Sequence, residues 1–269
     1  MYKLLALDLD GTLTNSKKEI TPHTQDVLAK VQQKGIKIVL ASGRPLNGIL
    51  PLAEQLFLDH YAGYIMAFNG GLIIDCHTGK HLCENYLSPD FYPRIYEKCN
   101  REGFAILTYL DGYIASEDIE NKYVCQNALR NRMPLLRLDN MLGQITFPEP
   151  KWLVVGDAER LSQLEEELCL MFQDELSIYR SEPYFLEILP PGIDKANGLR
   201  FLAETLGIHS DEIIAFGDSY NDKRMLQYAG LGIAMADAEP EVKEIADYIT
   251  LSNDKDGVAY AIERFLLCP

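Results

Sequence analysis

Short, almost uninterrupted apolar runs alternate along this chain with stretches in which apolar residues recur every three or four positions. The first run, residues 2–9, is dense in Leu and Ala, the pattern of a parallel strand buried on both faces. Thr21-Pro22 then makes a cap and first-turn pair, and Val27, Leu28 and Val31 form a helical stripe that stops at Gly35. A buried strand is predicted at 36–41, followed by the strand-to-helix turn Ser42-Gly43-Arg44-Pro45, a helix to about 58, and a strand at 64–68 ending in Asn69-Gly70-Gly71. This is a βαβαβ succession, for which right-handed crossovers are expected. The last third repeats the style, with helices at 194–206, 222–228 and 239–246, strands at 213–216, 231–235 and 248–251, and a closing helix at 257–267. The two segments read as halves of one parallel sheet.

Between them the rhythm changes. An amphipathic helix begins at Ser88-Pro89, short strands fall near 105–109 and 113–115, and a helix covers 123–129. A strand at 152–155, a helix at 158–172 and strands at 177–181 and 185–189 follow. The pattern is an α+β insert within an α/β domain, entered through Leu87-Ser88-Pro89 and left through Pro190-Pro191-Gly192, both plausible hinges. The expected division is residues 1–84 and 190–269 for the parallel-sheet domain and 85–189 for the insert.

Composition agrees with a globular protein of one large or two medium domains: 269 residues, 47% hydrophobic and 24% charged. No stretch approaches the 18 or so apolar residues of a membrane span, and the N-terminus lacks the features of a secretory signal, so the expected location is the cytoplasm. Cys76, Cys83, Cys99, Cys125, Cys169 and Cys268 are scattered with no C-x-x-C pair, which reads as reduced thiols. Cys76, His77, His81 and Cys83 flank Thr78-Gly79 as a hairpin would, so that cluster is not read as a metal site. A net charge of -15 repels the phosphate backbone of nucleic acid. Any phosphate site must therefore be locally positive, and the expected state is a monomer or weak homo-oligomer.

The polar residues that matter fall at strand ends, where open parallel sheets bind ligands. Asp8 and Asp10 end the first strand, Ser42-Gly43 the second, Asn69 the third, and Asp218, Asn221 and Asp222 follow the strand at 213–216. Residues two apart on a strand share a face, so Asp8 and Asp10 converge, and like charges held close need compensation. The carboxylates are hard oxygen ligands suited to Mg²⁺. Ser42, Gly43 and the following helix N-terminus offer a hydroxyl and N–H groups to an anion, and Lys195 a point positive charge. Together these are the parts of a phosphoryl-transfer site.

Asp8-Leu9-Asp10-Gly11-Thr12, Ser42-Gly43-Arg44-Pro45, Lys195 and Gly217-Asp218-Ser219-Tyr220-Asn221-Asp222 resemble the four ordered motifs of the haloacid dehalogenase superfamily of phosphatases, and the insert resembles the large α+β cap of its Cof-type sugar-phosphatase branch. The resemblance spans essentially the whole chain and implies a Rossmann-like parallel-sheet core with helices on both faces. It implies that Asp8 is the nucleophile and a Mg²⁺ ligand, forming an aspartyl phosphate. Asp10 would be the acid and then the base, giving the metal only its backbone carbonyl. Asp218 would be the second carboxylate on Mg²⁺, and Asp222 would orient Lys195 or a metal-bound water. Ser42, Gly43, Lys195, Asn221 and the Leu9 N–H would hold the phosphate.

The implied substrate is a small phosphorylated metabolite, most readily a sugar phosphate. Departures from the family pattern are small: Ser42 for a frequent Thr, Ala196 for a common Gly after Lys195, and Thr14 for a frequent apolar residue. Arg44 is read as a carboxylate partner without a catalytic role, and Asn69 either as a turn residue or as a contact to the substrate region. The aromatics of the insert (Tyr109, Tyr113, Tyr123, Tyr184, Phe185) default to core packing. A phosphomutase is the nearest rival. A phospho-accepting signalling module is the other, although such modules are shorter and carry no hundred-residue cap.

Overall fold

The computed structural model describes residues 1–267, so Cys268 lies outside the described residues. The chain divides into two units, Met1–Cys83 with Asp194–Pro269, and Glu84–Ile193.

In the first unit, β1 (Leu4–Leu7), α1 (Pro22–Gln33), β2 (Lys37–Ala41), α2 (Leu50–Gln55), β3 (Tyr64–Ala67), β4 (Leu72–Asp75) and β5 (His81–Glu84) come from the N-terminal segment. Strand β1 is shorter than the apolar run that announced it, yet all four of its side chains are fully buried. Burial of each Leu there contributes roughly 2 kcal/mol. Helix α1 starts at the N-cap Thr21, whose hydroxyl accepts from the Thr24 N–H, with Pro22 in its first turn. The helix expected from 46 to 58 is broken into a 3-10 turn at Leu46–Gly48 and the short α2. Pro51 sits in the first turn of α2, where its missing N–H costs no hydrogen bond, which favours a helix that starts there over one that runs through from residue 46. No helix N-terminus therefore opens directly on Gly43.

The insert, described by itself, is α3 (Tyr92–Arg101), β6 (Ala105–Leu110), β7 (Tyr113–Ser116), α4 (Lys122–Asn131), β8 (Leu135–Arg137), α5 (Met141–Gln144), β9 (Trp152–Val155), α6 (Ala158–Phe172), β10 (Ser177–Glu182) and β11 (Phe185–Leu189). Its six strands pair in the order β10-β11-β9-β6-β7-β8. Strand β8 and helix α5 have no counterpart in the sequence reading. One face of this sheet, carrying Ile106, Trp152, Val154, Leu186 and Ile188, belongs to the same buried cluster as Ile95 and Cys99 of α3 and Leu161, Leu164 and Leu168 of α6. Tyr92 stacks on Trp152 at 4.2 Å between ring centroids. Period-2 alternation puts Lys151 and Glu187 on the other face. There the buried Lys151 ammonium donates to Glu187 over 2.6 Å, and the Ser181 hydroxyl donates to the second Glu187 oxygen.

The chain then returns to the first unit through α7 (Lys195–Leu206), β12 (Ile213–Gly217), α8 (Lys223–Tyr228), β13 (Leu231–Ala234), α9 (Pro240–Ile245), β14 (Tyr248–Ile249) and α10 (Gly257–Ile262). The completed sheet has the order β14-β13-β12-β1-β2-β3-β4-β5. Its strands are parallel from β14 to β3, and β4 turns antiparallel against β3. The two sequence halves thus meet at β1 and β12, and this pairing is what assembles the site. Among the described residues no helix is long and apolar enough to cross a membrane.

Candidate active site

Register decides which residues share the sheet's carboxyl edge. Leu7 of β1 lies opposite Phe216 of β12 and Leu40 of β2, so Asp8, Asp218 and Ser42 leave their strands side by side. The Asp8 N–H still donates to the Phe216 carbonyl, 3.1 Å away, and anchors the nucleophile candidate to the sheet. The chain then turns through Gly11 at φ +85, a conformation suited to Gly, and a Cβ there would collide with the Asp218 carboxylate. The Leu9 carbonyl accepts from the N–H and hydroxyl of Thr14 at 2.9 and 2.8 Å, which accounts for a polar residue at that buried position.

Lys195 occupies the first turn of α7, capped by the Asp194 carboxylate on the Asn197 N–H. It is wholly buried, and its ammonium donates to Asp8 Oδ1 at 2.5 Å and Asp222 Oδ1 at 2.6 Å. The other Asp222 oxygen accepts the N–H groups of Asp218 and Ser219, both at 3.0 Å. With its oxygens so engaged, Asp222 holds Lys195 and the Asp218 turn. Asp218 Oδ1 accepts from the buried Thr12 hydroxyl at 2.7 Å.

Asp8, Asp218 and Asp222 each offer an oxygen within 4.8 Å of the others. Three carboxylates against one ammonium leave two negative charges in excess. Burial, then the Asp222 charge, push the Asp8 carboxyl up to about 6 against the pull of Lys195. Burial, then Asp8 and Asp222, likewise raise Asp218 well above the usual carboxylate range. Burial works against the Lys195 ammonium, but Asp222 and Asp8 outweigh it and its pKa is raised. Hard oxygen donors and a surplus of two negative charges fit a divalent cation, which Asp8 and Asp218 could hold while Asp222 is engaged by Lys195 and the Asp218 turn.

Asp10 stands apart from this cluster. Its carboxylate takes both arms of Arg44, Nε to Oδ2 at 2.7 Å and Nη2 to Oδ1 at 2.6 Å, and Lys18 Nζ to Oδ1 at 2.6 Å. The remaining guanidinium nitrogen, Nη1, donates to the Gly48 carbonyl, which anchors Arg44 to the turn that replaces the expected helix. The Ser42 hydroxyl accepts the Arg44 N–H at 3.2 Å, and the Asn221 amide donates to Asn69 Oδ1 at 2.9 Å. The strand-end and helix-end residues singled out as site candidates thus lie in one unit at one sheet edge, whereas the aromatics from Tyr109 to Phe185 lie in the other unit. Arg44 pairs with a carboxylate as the sequence reading expected, and that carboxylate is Asp10; sequence reasoning missed Thr12 and Lys18. Thr12 sits inside the first motif, which was a usable signal; Lys18 carried none.

Residues 5–262 match the haloacid dehalogenase-like hydrolase family, and the chain belongs to that family. It is 33% identical over 274 residues to a 5-amino-6-(5-phospho-D-ribitylamino)uracil phosphatase of Bacillus subtilis, covering 98% of this chain and 96% of that protein. A haloacid dehalogenase-like hydrolase from Bacteroides thetaiotaomicron superposes with a TM-score of 0.89 at 47% identity, over 99% of this chain and 100% of that one. A subclass IIB sugar phosphatase shares the fold, with a TM-score of 0.82 at 24% identity over 98% of each chain. The chain is accordingly an enzyme, a phosphatase of this family in its Cof-type branch.

Proposed function

We propose that this phosphatase hydrolyses phosphomonoesters of small polyhydroxylated metabolites, sugar phosphates foremost, through an aspartyl phosphate and with Mg²⁺. The observation that carries the reading is the buried Lys195 bridging Asp8 and Asp222, which places a fixed positive charge beside a carboxylate at a strand end. Asp8 Oδ attacks phosphorus, the ester P–O bond breaks, and the leaving oxygen takes a proton from the Asp10 carboxyl, which must first give up its pairing with Arg44 and Lys18 to carry that proton. Asp10 then takes a proton from water as that water attacks phosphorus, the bond from phosphorus to Asp8 breaks, and inorganic phosphate leaves. Lys195, Ser42, Gly43, Asn221 and the Leu9 N–H hold the phosphoryl oxygens throughout. Mg²⁺ on Asp8, Asp218 and the Asp10 carbonyl would offset charge on the phosphoryl group and on the carboxylates.

The polyol preference rests on the Bacillus subtilis relative, whose named substrate is a ribityl phosphomonoester. The insert would select the leaving group, and the free thiols of Cys76, Cys83, Cys99, Cys125 and Cys169 suit a reducing cytoplasm. The test is phosphate release from a panel of sugar phosphates, nucleotides, pyridoxal phosphate and flavin mononucleotide, with and without chelator. Asp8→Asn should abolish turnover while the protein stays folded, and Asp10→Asn should slow it at least about 100-fold. Full activity in Asp8→Asn would end the mechanism; isomerisation without phosphate release would assign a mutase.

A further inference from the structure

Asn69 is completely buried, yet its backbone sits in the left-handed region at φ 56, ψ 30, and its side-chain nitrogen has no hydrogen-bond partner. Leaving a buried amide donor unpaired costs about 1–3 kcal/mol, so a partner is to be sought. The surroundings say where. The Asn69 N–H donates to the Ser42 carbonyl at 2.9 Å, which fastens the turn after β3 to the turn after β2. Its Oδ1 accepts from Asn221 Nδ2, and both ends of its carboxamide lie 3.2 Å from where a Cβ on Gly43 would stand. Gly70, at φ +100, lets the same turn press on the first turn of α7: a Cβ there would come within 3.0 Å of the Asp194 carbonyl and 3.2 Å of Gly198 Cα. Asn69 therefore meets Ser42 through its backbone N–H and Asn221 through its carboxamide, and that carboxamide fills the space beside Gly43; all three are residues of the proposed phosphate cradle.

Resting on that reading of the site, we infer that Asn69 is itself part of the phosphoryl-binding cradle. Through Oδ1 it fixes the Asn221 carboxamide, and its unpartnered Nδ2 donates to an oxygen of the bound phosphoryl group beside Gly43. An Asn is suited to both tasks because it tolerates the left-handed conformation and carries an acceptor and a donor on one rigid plane.

Two variants separate this from a purely architectural role. Asn69→Gly keeps the left-handed backbone without strain and removes both hydrogen-bonding atoms. Asn69→Asp keeps the acceptor for Asn221 and puts an anion where the donor was. The probe is inorganic phosphate, measured with Mg²⁺ present by calorimetry and as a competitive inhibitor of the wild-type and variant enzymes. Asn69→Gly should weaken phosphate binding by about tenfold to a hundredfold, the scale of hydrogen bonds to a charged group, and Asn69→Asp should weaken it further. In an Asn221→Ala background the effect of Asn69→Gly should shrink, because part of it acts through Asn221. Melting temperatures of Asn69→Gly within a few degrees of wild type show that the fold is kept. Unchanged phosphate affinity in Asn69→Gly, or wild-type affinity in Asn69→Asp, overturns the inference while leaving the phosphatase reading intact. A wild-type enzyme that neither binds phosphate nor releases it from any ester would instead overturn that reading.

Discussion

Replacing Lys195 with Met removes one positive charge from a buried cluster and leaves a side chain of similar length. In the native protein the ammonium lies 2.5 Å from Asp8 and 2.6 Å from Asp222, with both the lysine and Asp222 wholly buried. Without it, Asp8 and Asp222 face each other and Asp218 with no compensating cation from the protein. Removing one partner of a buried ion pair costs about 3–5 kcal/mol, because a desolvated charge is stranded. For a unit of this size each kcal/mol moves the melting temperature by about 2–4 °C, so Lys195→Met should melt roughly 6–20 °C below wild type in metal-free buffer. The double variant Lys195→Met/Asp222→Asn strands one charge fewer and should recover at least half of the loss. Calorimetric melting of the three proteins in chelator reads the difference directly. Turnover should stay depressed about 100- to 1,000-fold in both variants, because the phosphoryl group has lost its fixed cation. If Lys195→Met melts with wild type, or if the double variant is no more stable than the single one, charge stranding is not what Lys195 relieves.

Two further outcomes are expected. Thr12→Val removes the hydroxyl that orients Asp218 at 2.7 Å, and should weaken Mg²⁺ binding about 10- to 100-fold with little change in melting temperature, as read by metal titration of activity. Glu149, 3% exposed in the insert, is pushed up to about 7 from 4.5 chiefly by burial, against the Thr108 hydroxyl that lowers it. An acid whose folded pKa is raised loses stability as pH climbs from its unfolded value through its folded one, here from about 4.5 to 7, by up to about 3 kcal/mol. Glu149→Gln should flatten that part of the pH–stability curve in chemical denaturation and be the more stable protein at pH 8; an unchanged slope refutes the assignment.

The apolar runs and helical stripes by themselves determine most of the fold. A run buried on both faces has few alternatives to a central parallel strand, which is why β1, β2, β3, β12 and β13 were legible, and the helix at 158–172 because its stripe is long. Short elements carry too few periods, and β8 and α5 went unseen; the break between Leu46–Gly48 and α2 came from a single Pro overriding an otherwise helical pattern. Residue identity pointed to Asp8, Asp10, Ser42, Lys195 and Asp218 only as a set: an Asp-Gly turn or a helix lysine is ordinary alone, but ordered motifs at several strand ends of one sheet are not.

What sequence could not decide is which polar atoms meet. Asp8 and Asp10 look equivalent along the strand, and only the tertiary structure sends one to Lys195 and the other to Arg44 and Lys18. Thr12 reaches Asp218 across 206 residues and Asn69 meets Asn221 across 152, contacts no local pattern encodes. Burial patterns are written in each residue's own hydrophobicity and can be read one segment at a time. Hydrogen-bond partners are set by the register between β1, β2 and β12 and by the close approach of α7, and these exist only once the sheet has closed.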